Sequence, residues 1–203
     1  MRLTALLCAA AVLPAGLRAQ VKLEVAPFFA SYYATNYTAF KSDNNNERQE
    51  AGPGIGLAAG YHFTRIVGLQ GSVAFVKSGI IPRQPQAAGT INILTPESGS
   101  LTFASARLTL QPRRSNYFIA FGPGIVKRSG KAWNVPGLQD LTNVTASAGF
   151  GIRARITPDW EFTIGVDGHF YKSDFDGSAT YYDSRLQRDV LVSIGVPYAL
   201  IGR

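Results

Sequence analysis

The sequence predicts an all-β protein: an eight-stranded antiparallel up-and-down β-barrel that crosses a membrane with its strands. Three observations predict this fold. Long segments alternate strictly between apolar and polar residues, which is the pattern of strands with two different faces. Charged residues make up only 16% of the 203 residues, against roughly 25% in soluble domains. The chain also lacks any run of about 18 apolar residues, the length that a membrane-spanning helix needs.

The first 19 residues have the layout of a secretory signal peptide. Arg2 supplies a positive charge, residues 6–13 form a short apolar run, and the small residue Ala19 precedes the expected cleavage site. The only cysteine, Cys8, lies within this segment. We therefore expect residues 1–19 to be removed and residues 20–203 to form the barrel domain. The mature chain is expected to hold no disulfide, no metal and no other cofactor.

The segment 143–170 predicts the clearest hairpin. Its apolar positions alternate with polar ones and are Val144, Ala146, Ala148, Phe150, Ile152, Ala154 and Ile156, then Trp160, Phe162, Ile164 and Val166. The turn predicts that Ile156 lies opposite Trp160, and the same register places the charged pair Arg155 and Glu161 opposite each other. It also pairs Phe162 with Ala154 and Ile164 with Ile152. We expect Arg155→Ala to destabilise the barrel by leaving Glu161 unpaired.

Six further segments carry the same alternation. They are residues 21–34, 54–63, 67–76, 101–110 and 188–200, and a segment that begins at Tyr117 and carries Ile119, Phe121 and Ile125 on the same face. Short turns at 64–66, 111–116 and 157–159 alternate with long connections at 35–51, 77–99, 129–141 and 172–187. In an up-and-down barrel this places every short turn at one end and every long loop at the other, an asymmetry typical of membrane barrels. We expect strand ends that project past the membrane within residues 77–99.

The composition of the two strand faces indicates which face meets lipid. The polar face is mostly Gly, Ser, Ala and Thr, whereas a water-exposed surface carries far more Lys and Glu. Small residues suit the narrow lumen of an eight-stranded barrel. The apolar stripes end near Tyr117, Trp160 and Tyr198, which are suited to an aromatic belt at a membrane interface. A soluble lipocalin-like barrel with an apolar interior is the alternative.

The last strand carries the pattern Ser193-x-Gly195-x-x-Tyr198-x-Leu200. From Gln20 onward the chain resembles the small eight-stranded outer-membrane proteins of Gram-negative bacteria, the OmpA/OmpX-type barrel domain. The pattern itself is similar to the signal that the barrel-assembly machinery recognises, although the chain continues for three residues where such proteins end on an aromatic residue. The resemblance implies export through the periplasm, a bacterial outer-membrane location and short periplasmic turns. It also implies contact with outer-membrane lipid, lipopolysaccharide and the assembly machinery.

Five charged residues on the polar strand faces form the candidate site. They are Arg107, Arg153, Arg155, Glu161 and Asp167, with Lys22 and Glu24 on the same inward surface. Charges in a narrow lumen need partners, because burial of an unpaired charge is costly. We expect a structural ion-pair network that fills the lumen. The alternative is a porin-like pore in which these charges line the path of ions.

A hydrolytic site is a weaker hypothesis. The predicted register places Ser147 opposite His169, with Asp167 on the same face, and these residue types could form a nucleophile, a base and an orienting group. All three would point into the lumen, away from a lipid substrate, and no nucleophile motif surrounds Ser147. We therefore expect a protein that is not an enzyme. A lipid-modifying outer-membrane enzyme remains the third candidate class.

Basic residues give no indication of nucleic-acid binding, although the net charge is +7. They are scattered over turns, loops and strand faces, with Arg128 near a loop, rather than gathered in a patch. The loop tyrosines and Trp133 could bind a partner or lipopolysaccharide sugars, although loops that only extend the barrel are favoured. The sequence thus predicts a non-enzymatic structural or surface-interaction barrel, with a small passive channel as the alternative. It does not identify a surface partner or an oligomeric state.

Overall fold

The computed structural model describes residues 22–35, 48–81, 98–133, 141–157, 160–173 and 185–201. The strands are β1 (Lys22–Ala34), β2 (Arg48–Gln49), β3 (Gly52–His62), β4 (Val67–Lys77), β5 (Ile80–Ile81), β6 (Gly99–Leu110), β7 (Tyr117–Gly130), β8 (Thr142–Thr157), β9 (Trp160–Ser173), β10 (Arg185–Gly195) and β11 (Tyr198–Ile201). Residues Lys131–Trp133 form a short 3-10 helix. In this part of the chain no helix has the length and apolar character to cross a membrane. The predicted signal peptide lies outside the described residues.

Eight strands close into a barrel. The antiparallel order is β1, β3, β4, β6, β7, β8, β9 and β10, and β10 pairs back with β1. The last strand continues as β11, which also pairs with β1. The predicted eight-stranded up-and-down barrel is therefore confirmed. Closure leaves no free sheet edge, because every barrel strand has a neighbour on both sides.

Two prolines interrupt the closing seam of the barrel. The sequence predicted one unbroken last strand over 188–200, but Val196 and Pro197 separate β10 from β11. Pro27 on β1 and Pro197 both lack an N–H group, so neither can donate a ladder hydrogen bond at this point of the seam. The N–H of Val196 still donates to the carbonyl of Pro27 at 3.1 Å. The pairing resumes in the same register beyond the gap, with Val25 opposite Tyr198.

The β8–β9 hairpin has the predicted register except at its turn. Ala154 lies opposite Phe162, Ile152 opposite Ile164 and Arg155 opposite Glu161, as expected. The predicted pair of Ile156 and Trp160 is wrong, since Trp160 pairs with Thr157 and the register shifts between Arg155 and Thr157. Only residues 158 and 159 connect the two strands. One residue of β8, Ile156, therefore has no partner on β9 and forms a β-bulge.

The outer wall of the barrel is apolar. Residues such as Ile55, Leu57, Phe75, Phe121 and Ile164 are exposed on it. Tyr117, Trp160 and Tyr198 are also exposed, and all three lie at the short-turn end of their strands. An outward-facing apolar wall excludes the lipocalin-like alternative, which needs that surface in water.

The interior of the barrel changes character along its axis. Its loop end is filled by a buried apolar cluster, in which the largest members are Tyr32, Val76, Leu101, Phe103, Val126, Trp133, Tyr171 and Leu191. Its short-turn end holds charged side chains instead. The apolar part was not predicted from the sequence, although Leu101 and Phe103 share their strand face with Ser105 and Arg107.

The bases of three long loops are joined above the barrel. Strand β2 in the first loop pairs with β5 in the second. The Glu50 N–H donates to the Gly79 carbonyl and the Ser78 hydroxyl to the Glu50 carbonyl, each at 2.8 Å. The second and third loops meet where the Ala132 N–H donates to the Ser98 carbonyl at 3.3 Å. Strand β5 lies within residues 77–99, and residues 82–97 lie outside the described part. The projection of strand ends past the membrane stays a prediction.

Candidate functional site: three polar layers in the lumen

Glu24 is the centre of a layer of charges at the short-turn end, the short-turn layer (Lys22, Glu24, His62, Arg153, Glu161). Arg153 on β8 donates two hydrogen bonds to the buried Glu24 carboxylate, at 2.6 Å to Oε1 and 3.0 Å to Oε2. Lys22 Nζ lies 3.0 Å from Oε2, and His62 Nε2 lies 3.1 Å from Oε1. One carboxylate therefore meets several donors, as a buried charge requires.

Glu161 completes this layer and has more than one partner. Its Oε1 lies 3.5 Å from Arg153 Nη1, and its Oε2 lies 3.8 Å from Arg155 Nη2 and 4.0 Å from Lys22 Nζ. The Arg155 side chain is 69% exposed at the mouth of the barrel. The expectation that Glu161 loses its only partner in Arg155→Ala is therefore wrong. Arg153 is also stabilised by the Phe118 ring, whose centroid lies 5.4 Å from its guanidinium carbon.

Arg107 and Asp167 form the middle layer. The Arg107 guanidinium donates to the Asp167 carboxylate, and its Nη2 donates to Gln70 Oε1 at 3.0 Å. Gln70 lies directly opposite Arg107 on the neighbouring strand β4. Asp167 comes from β9, three strands away from β6 in the barrel, so the contact between Arg107 and Asp167 crosses the lumen. Gly149 makes room for them, because a Cβ at this position would overlap the Asp167 carboxylate.

A small cavity separates the middle layer from the short-turn layer. Its volume is about 50 Å³, and its polar lining includes Glu24, Gln70, Arg107, Arg153 and Asp167. This space fits one or two water molecules. It is the part of the lumen that the charged side chains leave open between these two layers.

A third set of polar groups, the loop-end layer, lies within the apolar cluster. Asp189 is 1% exposed and accepts hydrogen bonds from the hydroxyls of Tyr32 at 2.9 Å and Tyr171 at 2.6 Å. Arg128 donates to Asn143 Oδ1 and, at 2.9 Å, to Ser173 Oγ. The Arg128 guanidinium also packs over two rings, with its carbon 5.2 Å from the Trp133 centroid and 5.0 Å from the Tyr171 centroid.

The loop-end layer was not predicted from the sequence. Arg128 was placed near a loop, and Trp133 was placed in a loop that could bind a partner. Strand β7 instead continues to Gly130, and Trp133 is only 4% exposed. This corrects the view of Trp133 as an exposed binding residue. The alternation of β7 could have placed Arg128 inside, since it shares a face with Val126.

The predicted lumen residues lie in two groups rather than one. Arg153 and Glu161 belong to the short-turn layer, Arg155 lies at its exposed edge, and Arg107 and Asp167 form the middle layer. Glu24 was predicted only to share the inward surface of these residues. Its carboxylate lies 2.6 Å from the Arg153 guanidinium, closer than the Glu161 carboxylate at 3.5 Å. His62, which the candidate site did not include, is hydrogen-bonded to Glu24.

The three residues of the hydrolytic hypothesis lie on one strand face, but their side chains do not form a hydrogen-bonded relay. Ser147 is paired with His169 in the register, as predicted. The Ser147 hydroxyl, however, donates to the Gly122 carbonyl at 2.9 Å, and Asp167 is engaged by Arg107. The His169 ring packs against Phe103, with 4.8 Å between centroids. Without a bond from the serine to the histidine, the geometry lacks an activated nucleophile. In the described ranges no cluster of His, Cys, Asp and Glu could hold a metal ion.

The four residues of the C-terminal pattern lie on both sides of the seam gap. Ser193 and Gly195 face the lumen on β10 and line the small cavity. Tyr198 and Leu200 on β11 are exposed on the outer wall. Alternate apolar residues thus face outward at the end of the chain, and their recognition by an assembly machinery stays a prediction.

An apolar outer wall, closed strand pairing and a lumen filled by polar layers define a membrane-spanning β-barrel. A family model described as "Outer membrane protein beta-barrel domain" matches residues 3–190. The chain belongs to this family of outer-membrane proteins, so its short turns face the periplasm and its long loops face outward. No curated protein matches the chain.

Solved structures of outer-membrane proteins share this fold. The chain is similar to the outer membrane protein OprG from Pseudomonas aeruginosa, with 12% identity and a TM-score of 0.57 over 89% of this chain and 99% of that one. It is similar to the outer membrane protein AlkL, with 10% identity and a TM-score of 0.57 over 93% of this chain and 94% of that one. At such low identity these likenesses concern the fold alone.

Proposed function

We propose that this chain is a non-enzymatic outer-membrane barrel with a structural or surface-interaction role, whose closed lumen anchors a loop platform outside the cell. The observation that carries the proposal is the filling of the lumen at three levels. The short-turn layer, the middle layer and the loop-end layer each bring side chains from several strands into contact. Charges that are held by ion pairs and hydrogen bonds at these levels rigidify such an interior, and an ion would have to break these contacts to pass.

The loop bases support the surface part of the proposal. The β2–β5 pair and the contact between Ala132 and Ser98 tie three loops together beyond the barrel wall. Because hydrogen bonds join the bases of these loops, the loops start from fixed positions. Such preorganisation favours recognition of a partner. We propose that these loops meet lipopolysaccharide sugars or a surface partner whose identity is open.

Conductance in planar lipid bilayers tests the closed lumen. The full chain, refolded in detergent and checked by its heat-modifiable gel mobility, is expected to insert without stepwise current. Regular current steps from the wild-type chain would overturn the proposal. They would favour the second candidate, a porin-like passive channel, for which the 50 Å³ cavity between Arg107 and Arg153 is the supporting observation. Arg107→Gln should then change the preference between cations and anions.

Epitope insertion tests the direction of the platform. A tag inserted between Asn44 and Asn45 should bind antibody on intact cells. The matched insertion between Arg113 and Arg114, in the turn joining β6 to β7, should bind antibody only after permeabilisation. The opposite result would place the loops in the periplasm and remove the surface role.

Two further parts of the proposal concern partners and chemistry. We propose that the assembly machinery recognises Ser193, Gly195, Tyr198 and Leu200, and that a Tyr198→Ala chain accumulates unfolded in the periplasm. The absence of catalysis is tested by lipid A mass spectra of cells with and without the chain. Identical spectra are expected, and a lost acyl or phosphate group would favour the lipid-modifying enzyme instead.

A further inference from the structure

An apolar groove, the wall groove, crosses the outer surface of the barrel on strands β3, β4, β6 and β7. Its volume is about 640 Å³, within the range of roughly 300–1,000 Å³ that is common for sites of small molecules. Ala59, Gly71 and Ala106 lie side by side in register and give the groove its depth. The large residues that border it are exposed on the outer wall and are Leu57, Val73, Ile125 and Val144.

The wall groove is suited to hydrocarbon. Of the described residues that line it, Ser72 and Ser105 carry polar side chains. Their hydroxyls are hydrogen-bonded to each other at 2.8 Å, and both residues alternate with outward-facing ones, so they belong to the lumen face. The groove itself therefore presents aliphatic side chains, which favour an apolar occupant.

The outer face of β6 leads from the wall groove to two lysines. This face continues from Ala104 in the groove to Thr102 and then to Ser100 at the loop end. Thr102 lies opposite Lys127 on β7, and Ser100 lies opposite Lys77 on β4. Both lysines are exposed. Successive residues of one strand face are about 7 Å apart, so the two lysines lie roughly one and two such steps beyond Ala104.

The charge above the wall groove is positive. Neither Lys77 nor Lys127 forms an ion pair within the described part of the chain. Glu50 is exposed at the loop bases, where its N–H is bonded to Gly79, but its carboxylate does not pair with Lys77. Lysine side chains extend toward lipid head groups while their stems stay on apolar surface, and their ammonium groups bind phosphate.

A groove for hydrocarbon below two cations matches the two parts of an anionic lipid. The loop end faces outward from the cell, so the lysines lie toward the head groups of the outer leaflet. We propose that the wall groove binds an acyl chain of a phosphorylated lipid of this leaflet, while Lys77 and Lys127 bind its phosphate groups. The site lies on the barrel wall, so it depends neither on conduction through the lumen nor on a partner of the loops.

Native mass spectrometry of the refolded full chain in neutral detergent tests both parts of the site. The probes are diphosphoryl lipid A, the same lipid without its phosphates, and its deacylated sugar bisphosphate. Wild-type protein is expected to retain the first and to release the other two. Lys77→Gln/Lys127→Gln should weaken binding about 25-fold, since each cation contributes about a factor of five. Ala106→Phe should weaken it about 15-fold, because its ring displaces about two CH2 groups, each worth a factor of about four.

Matched variants make the same changes away from the site. Arg113→Gln/Arg114→Asn removes two exposed cations from the periplasmic turn; asparagine suits the left-handed backbone of Arg114, whose φ is 63°. Ala154→Phe adds a ring to the exposed periplasmic half of β8. Both variants should bind lipid A as the wild type does. If Ala106→Phe lacks the folded gel band, Ala106→Leu is measured, with an expected loss of about fourfold.

Four outcomes would overturn the proposal. Unchanged binding in Lys77→Gln/Lys127→Gln, or equal binding of the dephosphorylated lipid, would show that the lysines do not hold phosphate. Unchanged binding in the folded variant at Ala106 would place the acyl chains elsewhere on the wall. Retention of the deacylated sugar bisphosphate would make the lysines a site for a soluble anion. A protein dimer that Ala106→Phe abolishes would assign the groove to a second copy of the chain.

Discussion

Glu24 on β1 and Arg153 on β8 are joined by two hydrogen bonds, of 2.6 and 3.0 Å, although 129 residues separate them in the chain. The two strands are not neighbours, because β9 and β10 lie between them in the barrel. The pair therefore spans the lumen and ties opposite walls together. Paired, fork-like geometry of this kind is among the stronger charge-assisted contacts in proteins.

Glu24→Gln should strongly lower the free energy of unfolding. The substitution leaves Arg153 and Lys22 without their principal carboxylate in a mostly buried site, and removing one partner of a buried pair typically costs about 3–5 kcal/mol. Urea unfolding of the barrel in phospholipid vesicles measures the change. Glu50→Gln is the matched control, since Glu50 is exposed and should shift stability by less than about 0.5 kcal/mol. Equal midpoints for the two variants would contradict the central role of Glu24.

Arg155→Ala should have a small effect, in contrast to Arg153→Ala. The Arg155 side chain is 69% exposed and its ion pair with Glu161 is long, at 3.8 Å. Exposed pairs contribute about 0–1 kcal/mol. Arg153 instead holds Glu24 and Glu161 together, so its removal should lower stability several times more. Measuring both variants in the same vesicles checks this order, and a larger loss for Arg155→Ala would refute it.

Gly149→Ala should destabilise the barrel, whereas Gly71→Ala should not. A Cβ at Gly149 would overlap the Asp167 carboxylate and lie 3.1 Å from Arg107 Nη1, so the middle layer must shift. At Gly71 the nearest atom is 4.0 Å from the added carbon. Overpacking of an interior costs about 1–3 kcal/mol, while alanine in open strand space is favourable relative to glycine. The two unfolding midpoints give the comparison, and an unshifted Gly149→Ala would show that Asp167 adapts freely.

The hairpin of β8 and β9 shows how far the alternation of the sequence determines the fold. Its register follows from period two, because a slip by one residue would turn Arg153 and Arg155 to the lipid face. The bulge at Ile156 could not be predicted from this pattern, because the hydrophobic pattern does not determine how many residues close the turn. The gap at Val196 and Pro197 was missed because it arises where two prolines meet from strands that are far apart in the sequence.

The lumen contacts were predictable as a set of inward charges but not as pairs. Arg155 and Glu161 were placed together correctly because they lie on adjacent strands. The partner of Arg153 comes from β1, and only closure of the barrel and the stagger of its strands bring Glu24 to that height. The loop-end layer was missed because β7 extends beyond the apolar part of its outer face. Arg128 lies in this extension and was therefore assigned to a loop.

The two tryptophans should report the two environments of the barrel separately. Trp160 is 57% exposed on the outer wall, and Trp133 is 4% exposed within the interior cluster. In Trp133→Phe, brominated phospholipids should quench the remaining fluorescence, most strongly with bromine near the head groups, because Trp160 lies at the periplasmic end of β9. In Trp160→Phe the same lipids should leave the emission of Trp133 nearly unchanged. Strong quenching of Trp133 would mean that lipid reaches the loop-end layer, which a closed and filled barrel does not allow.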